Sequence, residues 1–151
     1  MNPVRTAQAL FLAFSVCAGG IVLADETIAP EPQVQNGITY LTGGIGEDQA
    51  QAMRAESKKG YNLQLVFATE KSGQYQANVS VTITDAKGEK LIDLASVGPG
   101  FYAKLPAGHY KVVAENHGTQ QHKSIAVTEN NLTRYVLYWA AEPGELKSDM
   151  R

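Results

Sequence analysis

The chain has 151 residues, 44% of them hydrophobic and 19% charged, with a formal net charge of −2. That is the size of one globular domain with room for a removable segment, and it excludes collagen-like, disordered and multi-span membrane classes. The slightly acidic balance offers no basic field to grip nucleic acid, and a single Cys excludes an internal disulfide framework or a Cys-rich metal site.

Residues 1–24 read as a secretory signal peptide. Arg5 is the only charged side chain before Asp25, and Ala7 to Ala24 is almost wholly apolar or small, ending Val22-Leu23-Ala24 ahead of Asp25-Glu26. A basic start, an apolar core and a small residue at the cut form the pattern a signal peptidase needs. The competing reading is an uncleaved anchor, which would have to tolerate Gly19-Gly20 within its span. Cys17 follows Phe14-Ser15-Val16, not the context of a lipid-attachment cysteine, and reads as a small hydrophobe of the signal core. Cleavage after Ala24 removes Arg5 and Cys17, leaving a Cys-free chain of net charge −3 without a stable membrane span. Such a chain suits an oxidising periplasmic or secreted setting.

Residues 25–45 read as a linker and entry loop: Asp25 to Asn36, with Pro30 and Pro32, is extended, and the segment ends in the glycine loop Gly43-Gly44-Ile45-Gly46 at the helix start. Residues 46–60 predict a short surface helix. Glu47 and Asp48 open it, Lys58 and Lys59 close it, and Gly60 stands where a C-terminal cap would, so the charges complement the helix dipole at both ends. Its one large apolar residue is Met53. An isolated helix of this length is marginal in water, so it must dock, and the expected surface is the second face of the sheet at Val66, Val136 and Tyr138.

From Tyr61 the period changes to two, which marks strands with one dry face. Tyr61 to Phe67, Val79 to Thr84, Lys90 to Ala95, Phe101 to Leu105, His109 to Glu115, Gln120 to Val127 and Thr133 to Trp139 make seven strands. Asp85-Ala86-Lys87-Gly88 is a turn, and Asn116-His117-Gly118-Thr119 is a tight hairpin. Short strands at this spacing predict an antiparallel seven-stranded β-sandwich over 61–139. The last strand is apolar on both faces, which predicts a central position. Residues 140–151, with Pro143-Gly144, read as a flexible tail.

The run Ala103-Lys104-Leu105-Pro106-Ala107-Gly108-His109-Tyr110-Lys111-Val112-Val113-Ala114 links two of these strands. Pro106 offers no N–H and stops the incoming strand, Gly108 lets the backbone re-aim, and Tyr110, Val112 and Ala114 point into the core at period two. Together with the strand–turn–strand block at Val79 to Leu94, this run resembles the carboxypeptidase regulatory-like domains of small secreted proteobacterial proteins. The resemblance covers 61–139 and implies a transthyretin/Ig-like sandwich. Despite the family's name it implies no peptidase residues, only a binding, spacer or assembly-supporting module. Some transthyretin-like proteins hydrolyse a purine breakdown product, which would bring the expectation of a C-terminal Tyr-Arg-Gly-Ser. Here the last strand ends Tyr138-Trp139-Ala140.

No catalytic, cofactor-binding or metal-ligating set is expected. With a two-residue turn at His117-Gly118, His122 faces Val113 and His109 faces Ala126, which leaves the two histidines about 13 Å apart along one face, too far for one ion. The glycine loop lacks the Lys-Ser/Thr of a phosphate loop, and Glu47-Asp48 would repel an anion at the helix start. No Ser sits in a Gly-x-Ser-x-Gly elbow. Asn78-Val79-Ser80 and Asn131-Leu132-Thr133 match the N-glycosylation pattern, with meaning only in a eukaryotic source. Tyr75, Tyr102 and Tyr138 fall on loops or on the face away from the core and form a possible binding face, either for stacking on sugars or for anchoring a protein. The alternative is that Tyr102 and Tyr138 lie under the helix. The expected function is a non-enzymatic secreted or periplasmic β-sandwich module for binding or structural interaction at the cell envelope, with an envelope protein or glycan as its partner. Rival expectations are a carbohydrate-binding module using the exposed Tyr residues and a small hydrolase on the same scaffold. The hydrolase would require convergence among His109, His122, Glu115, Asp93 and Arg134.

Overall fold

The computed structural model describes residues 30–141. The signal-peptide and Cys17 readings, the start of the linker and most of the tail fall outside the described residues. The described part is mainly β. Strands β1 (Gln33–Gln35), β2 (Ile38–Gly43), β6 (Gly100–Lys104), β3 (Leu63–Thr69) and β9 (Thr133–Trp139) form one sheet in that order. Strands β5 (Lys90–Val97), β4 (Val79–Asp85), β7 (Gly108–Asn116) and β8 (Thr119–Val127) form the other. The two sheets, here called A and B, pack as a β-sandwich with one helix, α1 (Glu47–Ser57), outside it.

All seven expected strands are present, and two more lie in the segment read as linker. Asn36 and Gly37 have φ of 48° and 77°, the left-handed pair that a two-residue hairpin needs, and they fold β1 back on β2 with Gln35 opposite Ile38. The sandwich therefore has nine strands, not seven. It is also not wholly antiparallel, because β9 runs parallel to β3 from Leu63↔Thr133 to Thr69↔Trp139. β1–β2, β4–β5 and β7–β8 are hairpins within one sheet, β2 joins β3 in sheet A through α1, and the other four connections cross between sheets. The crossing after Val127 brings the chain back beside β3 in β3's own direction. The position expected for the last strand is likewise corrected: β9 is at an edge. Leu137 and Trp139 face the core, while Val136 is half-buried and Tyr138 exposed on the outer face.

The core forms where the inner faces meet. Leu65, Phe67 and Phe101 of sheet A lie against Val79, Val81, Ile83, Ile92, Val112 and Ala114 of sheet B, all fully buried. The register across the β7–β8 turn is the one the two-residue turn dictates, with Val113 opposite His122 and His109 opposite Ala126. The Leu105-to-Ala114 motif folds as expected: Tyr110 is buried, and its hydroxyl donates to the Pro106 carbonyl at 2.5 Å, closing the turn on itself.

Both edges of sheet B are capped by side chains from sheet A. Gln35 mimics a peptide group against β5, accepting from Asp93 N–H at 2.6 Å and donating to Asp93 C=O at 3.2 Å. At the other edge the Tyr135 hydroxyl bonds Ala126 N–H and C=O, and the Trp139 indole donates to Thr119 C=O at 2.8 Å. Edge groups that would otherwise template aggregation are thereby occupied.

Candidate functional site

Helix α1 packs on the outer face of sheet A and decides which part of that face stays open. The expected helix over 46–60 is observed as Glu47–Ser57, with Gly60 in the left-handed region at φ +92°. Its N-cap, Gly46, supplies no side chain. Gln49 instead reaches back, and its carbonyl accepts from Gly44 N–H at 2.8 Å and Ile45 N–H at 3.0 Å. Those two donors of the glycine loop are thus already engaged by the protein. Met53 is buried with Leu41, Tyr61 and Tyr102. The helix therefore docks, but on β2 and β6 and not on the expected Val136 and Tyr138.

Sheet registers lay out the face in rows. One row runs Leu41, Tyr102, Gln64, Arg134. The next runs Gly43, Gly100, Val66, Val136. Beyond the end of β6, Tyr75 pairs with Ala68, and Ala68 pairs with Tyr138 on its other side. Tyr75 and Tyr138 thus flank the small Ala68, with Cα atoms about 10 Å apart at two strand spacings. Tyr75 is 64% exposed and Tyr138 47%. Tyr102 is 4% exposed: it lies under α1, edge-on to Tyr61 with ring centroids 6.4 Å apart. Of the three tyrosines expected to form a binding face, two remain on it and one does not. Tyr102 thus lies under the helix, as the alternative reading expected, whereas Tyr138, which that reading also placed there, stays exposed: alternation in a strand shows that a residue faces outward but not whether a helix covers it.

Between α1 and β9 lies a groove with a cavity volume of about 400 Å³. Its floor includes Gln64, Val66 and Gly100, α1 contributes Arg54 and Ser57, and Tyr75 and Arg134 line it from the other elements. Gln64 donates to the Tyr102 hydroxyl at 2.9 Å. Burial raises the Tyr102 hydroxyl above the usual phenol range, while Ser57 and the guanidiniums of Arg54 and Arg134 pull the other way. Arg54 is paired with Glu47 at 2.8 Å. Hydrogen bonds from Gln51 and then Arg54, with the charge of Arg54, hold the Glu47 carboxyl below the ordinary value.

A larger hollow of about 760 Å³ lies near the Asp85-to-Gly88 turn, lined in part by His109, Lys111, Tyr110 and Tyr135. Both of its tyrosine hydroxyls are already bonded to backbone, so their visible work is to close the turn and the β8 edge. The groove instead carries an exposed aromatic at its rim. Leu132, 47% exposed, and Arg54 also line it. Neither had a signal in the sequence, because only the fold brings them into the same groove as Tyr75.

The five groups on which a hydrolase would depend do not converge. His109, His122, Glu115 and Asp93 are on sheet B, and Arg134 is on sheet A. Asp93 pairs with Thr82 in β4, whereas His122 lies two strands farther on in β8. No hydrogen bond joins any two of the five among the described residues, and no group of three or more potential metal ligands occurs there. Asn78 and Asn131, the two potential glycosylation sites, are both exposed. No helix among the described residues is long and apolar enough to cross a membrane. No protein-family model matches the chain, and no curated protein matches it.

Proposed function

We propose that the chain is a non-enzymatic binding module. In this reading it is an exported, transthyretin-like sandwich of the carboxypeptidase regulatory-like kind that works at the cell envelope and holds a glycan on the open half of sheet A. The observation that carries the reading is the row Tyr75–Ala68–Tyr138: two exposed aromatic side chains share one face of a rigid sheet with only a methyl group between them. Aromatic rings exposed on strands provide large contact area at low entropic cost. The neighbouring groove adds polar groups that can fix a ligand's orientation.

Support for the scaffold comes from the Leu105-to-Ala114 motif, whose Tyr110–Pro106 bond gives the residues of the resemblance a mechanical role. Support for export comes from the basic–apolar–small pattern of residues 1–24. The test is an amide NMR titration with soluble oligosaccharides released from envelope polysaccharide. Shifts should concentrate at residues 64–68, 75 and 132–138, and Tyr75→Ala and Tyr138→Ala should each weaken binding by roughly tenfold, as expected for loss of one aromatic anchor. Shifts confined to the hollow at residues 84–88, or affinities unchanged in both variants, would remove the reading.

A further inference from the structure

We infer that the groove beside α1 takes a carboxylated sugar, its pyranose ring against Tyr75 and its carboxylate held by Arg134 and Arg54. The inference rests on the binding-module reading and deepens it by naming the chemistry of the ligand.

Charge is the first support. The ionisable groups with fixed charge that line the groove are Arg54, Arg134 and Glu47. Glu47 is engaged by Arg54 at 2.8 Å, and Arg134 has no ion pair among the described residues. The groove therefore carries a positive excess on a chain whose formal net charge is −2. A planar guanidinium suits a carboxylate through two parallel N–H donors.

Convergence is the second. Arg134 stands beside Gln64 in the register, and Gln64 beside Tyr102. Arg54, from the helix, lines the same groove as Arg134, Gln64 and Tyr102. Two guanidiniums that line one groove, one from α1 and one from β9, can act together on an anion bound between them.

The lining then selects among anions. Gln64, Ser57 and Glu47 supply donors and acceptors suited to hydroxyl groups, and Tyr75 supplies a ring face. A long acyl chain would cover the Arg134 guanidinium, which has no ion pair among the described residues, without supplying a partner. The floor strands β6 and β3 are each bonded on both sides, so an acidic peptide could pair only with the outer edge of β9, on the side away from Tyr75 and the floor. A cavity of about 400 Å³ lies within the range for small ligands.

The test uses the purified protein and three probes: trigalacturonate, its neutral methyl ester, and a tetraglutamate peptide. Trigalacturonate should shift the amides of Gln64, Val66, Leu132 and Arg134, and its binding should weaken steeply with salt. The ester should bind at least tenfold more weakly. Arg134→Gln, an exposed substitution that leaves the core untouched, should cost at least tenfold against the acid and nothing against the ester. Equal affinity for acid and ester, with Tyr75→Ala weakening both, would overturn the charge assignment while leaving the binding face standing. Tighter binding of tetraglutamate than of trigalacturonate would overturn the assignment to sugar. If none of the three probes binds at millimolar concentration, the inference fails. If the envelope oligosaccharides also leave Tyr75 and Tyr138 unmoved, the underlying reading fails with it.

Discussion

Gly98→Ala probes the closest backbone approach among the described glycines and tests how α1 is seated. A Cβ built at Gly98 would stand 2.6 Å from the Gly43 carbonyl oxygen, 2.7 Å from its Cα and 2.9 Å from its carbonyl carbon. Favourable carbon contacts lie near 3.5 Å or beyond, so the methyl arrives nearly 1 Å too close, and every atom it meets is backbone. Relief requires β2 to move away from residues 98–99. That movement strains the bond from Gly98 N–H to Thr42 Oγ1, now 2.8 Å, and the Gly43–Gly100 pairing. Overpacking of this kind costs about 1–3 kcal/mol and a lost hydrogen bond about 1 kcal/mol, so the expected loss is about 2–4 kcal/mol. For a domain of roughly 100 residues this lowers Tm by about 8–16 °C. Gly88→Ala is the control. Gly88 has φ +85° but nothing within 4 Å of its added Cβ, so it should cost only the left-handed penalty of about 1 kcal/mol. Thermal melts of the two variants decide. If Gly98→Ala melts with the wild type, or above Gly88→Ala, the packing argument is wrong.

Three further outcomes follow from the same geometry. Met53→Asp places a charge among Leu41, Tyr61 and Tyr102 and should cost about 2–3 kcal/mol, with amide exchange over residues 47–57 rising toward that of an undocked helix; unchanged exchange would contradict docking. Asn62→Ala should cost about 2–4 kcal/mol in urea unfolding, because buried Asn62 bonds Leu105 N–H and C=O and Thr128 C=O, and its loss leaves those groups unpaired. Tyr61, Tyr102 and Tyr110 all have hydroxyls raised above the ordinary phenol value of 10.0, chiefly by burial. The unfolded chain therefore loses these protons first, so their contribution is whole below about pH 10 and is lost as pH climbs toward the folded values; a urea midpoint that stays level from pH 9 to pH 11.5 would refute this.

The sequence displayed what depends on neighbours in the chain and concealed what depends on distant ones. Alternation at Val79, Val81 and Ile83 marks a strand wherever its partners lie, and the His117-Gly118 turn alone fixes the whole β7–β8 register. The hairpin at Asn36-Gly37 was equally local, yet Pro30 and Pro32 drew the whole segment toward a linker reading. Sheet membership is another matter. Nothing near Thr133 records that β9 will lie parallel to β3, because that follows from how many connections cross between sheets. Asn62 looks like an ordinary outward position in an alternating strand, and only the fold shows its amide turned inward to tie the ends of β6 and β8. At the groove, Tyr75 and Tyr138 could be nominated as aromatics outside the core pattern, whereas their common row with Ala68 required the pairing of β9 with β3 and the isolated bridge at Tyr75, both made only in the fold.

The open half of sheet A follows from the same packing that closes the other half. An α-helix with its side chains is about 10 Å across, which spans about two strands at their 4.8 Å spacing. One helix cannot cover a five-stranded sheet. Where it settles is set by where the floor is lowest. Gly43 and Gly100 remove two side chains from adjacent positions on β2 and β6, and Met53 fills that depression: its Sδ and Cε lie within 4 Å of the Cβ positions those glycines lack. On β3 and β9 the corresponding positions carry Val66, Val136 and Tyr138, which would hold a helix away from the backbone. Helix α1 is thus confined to the glycine-floored side, and its outer flank, bearing Arg54 and Glu47, becomes one wall of the groove. Tyr75 and Tyr138 stay exposed because no second helix is present among the described residues to cover them. The same two glycines therefore stabilise the helix and define the only flank from which it can offer charge to a ligand on the sheet.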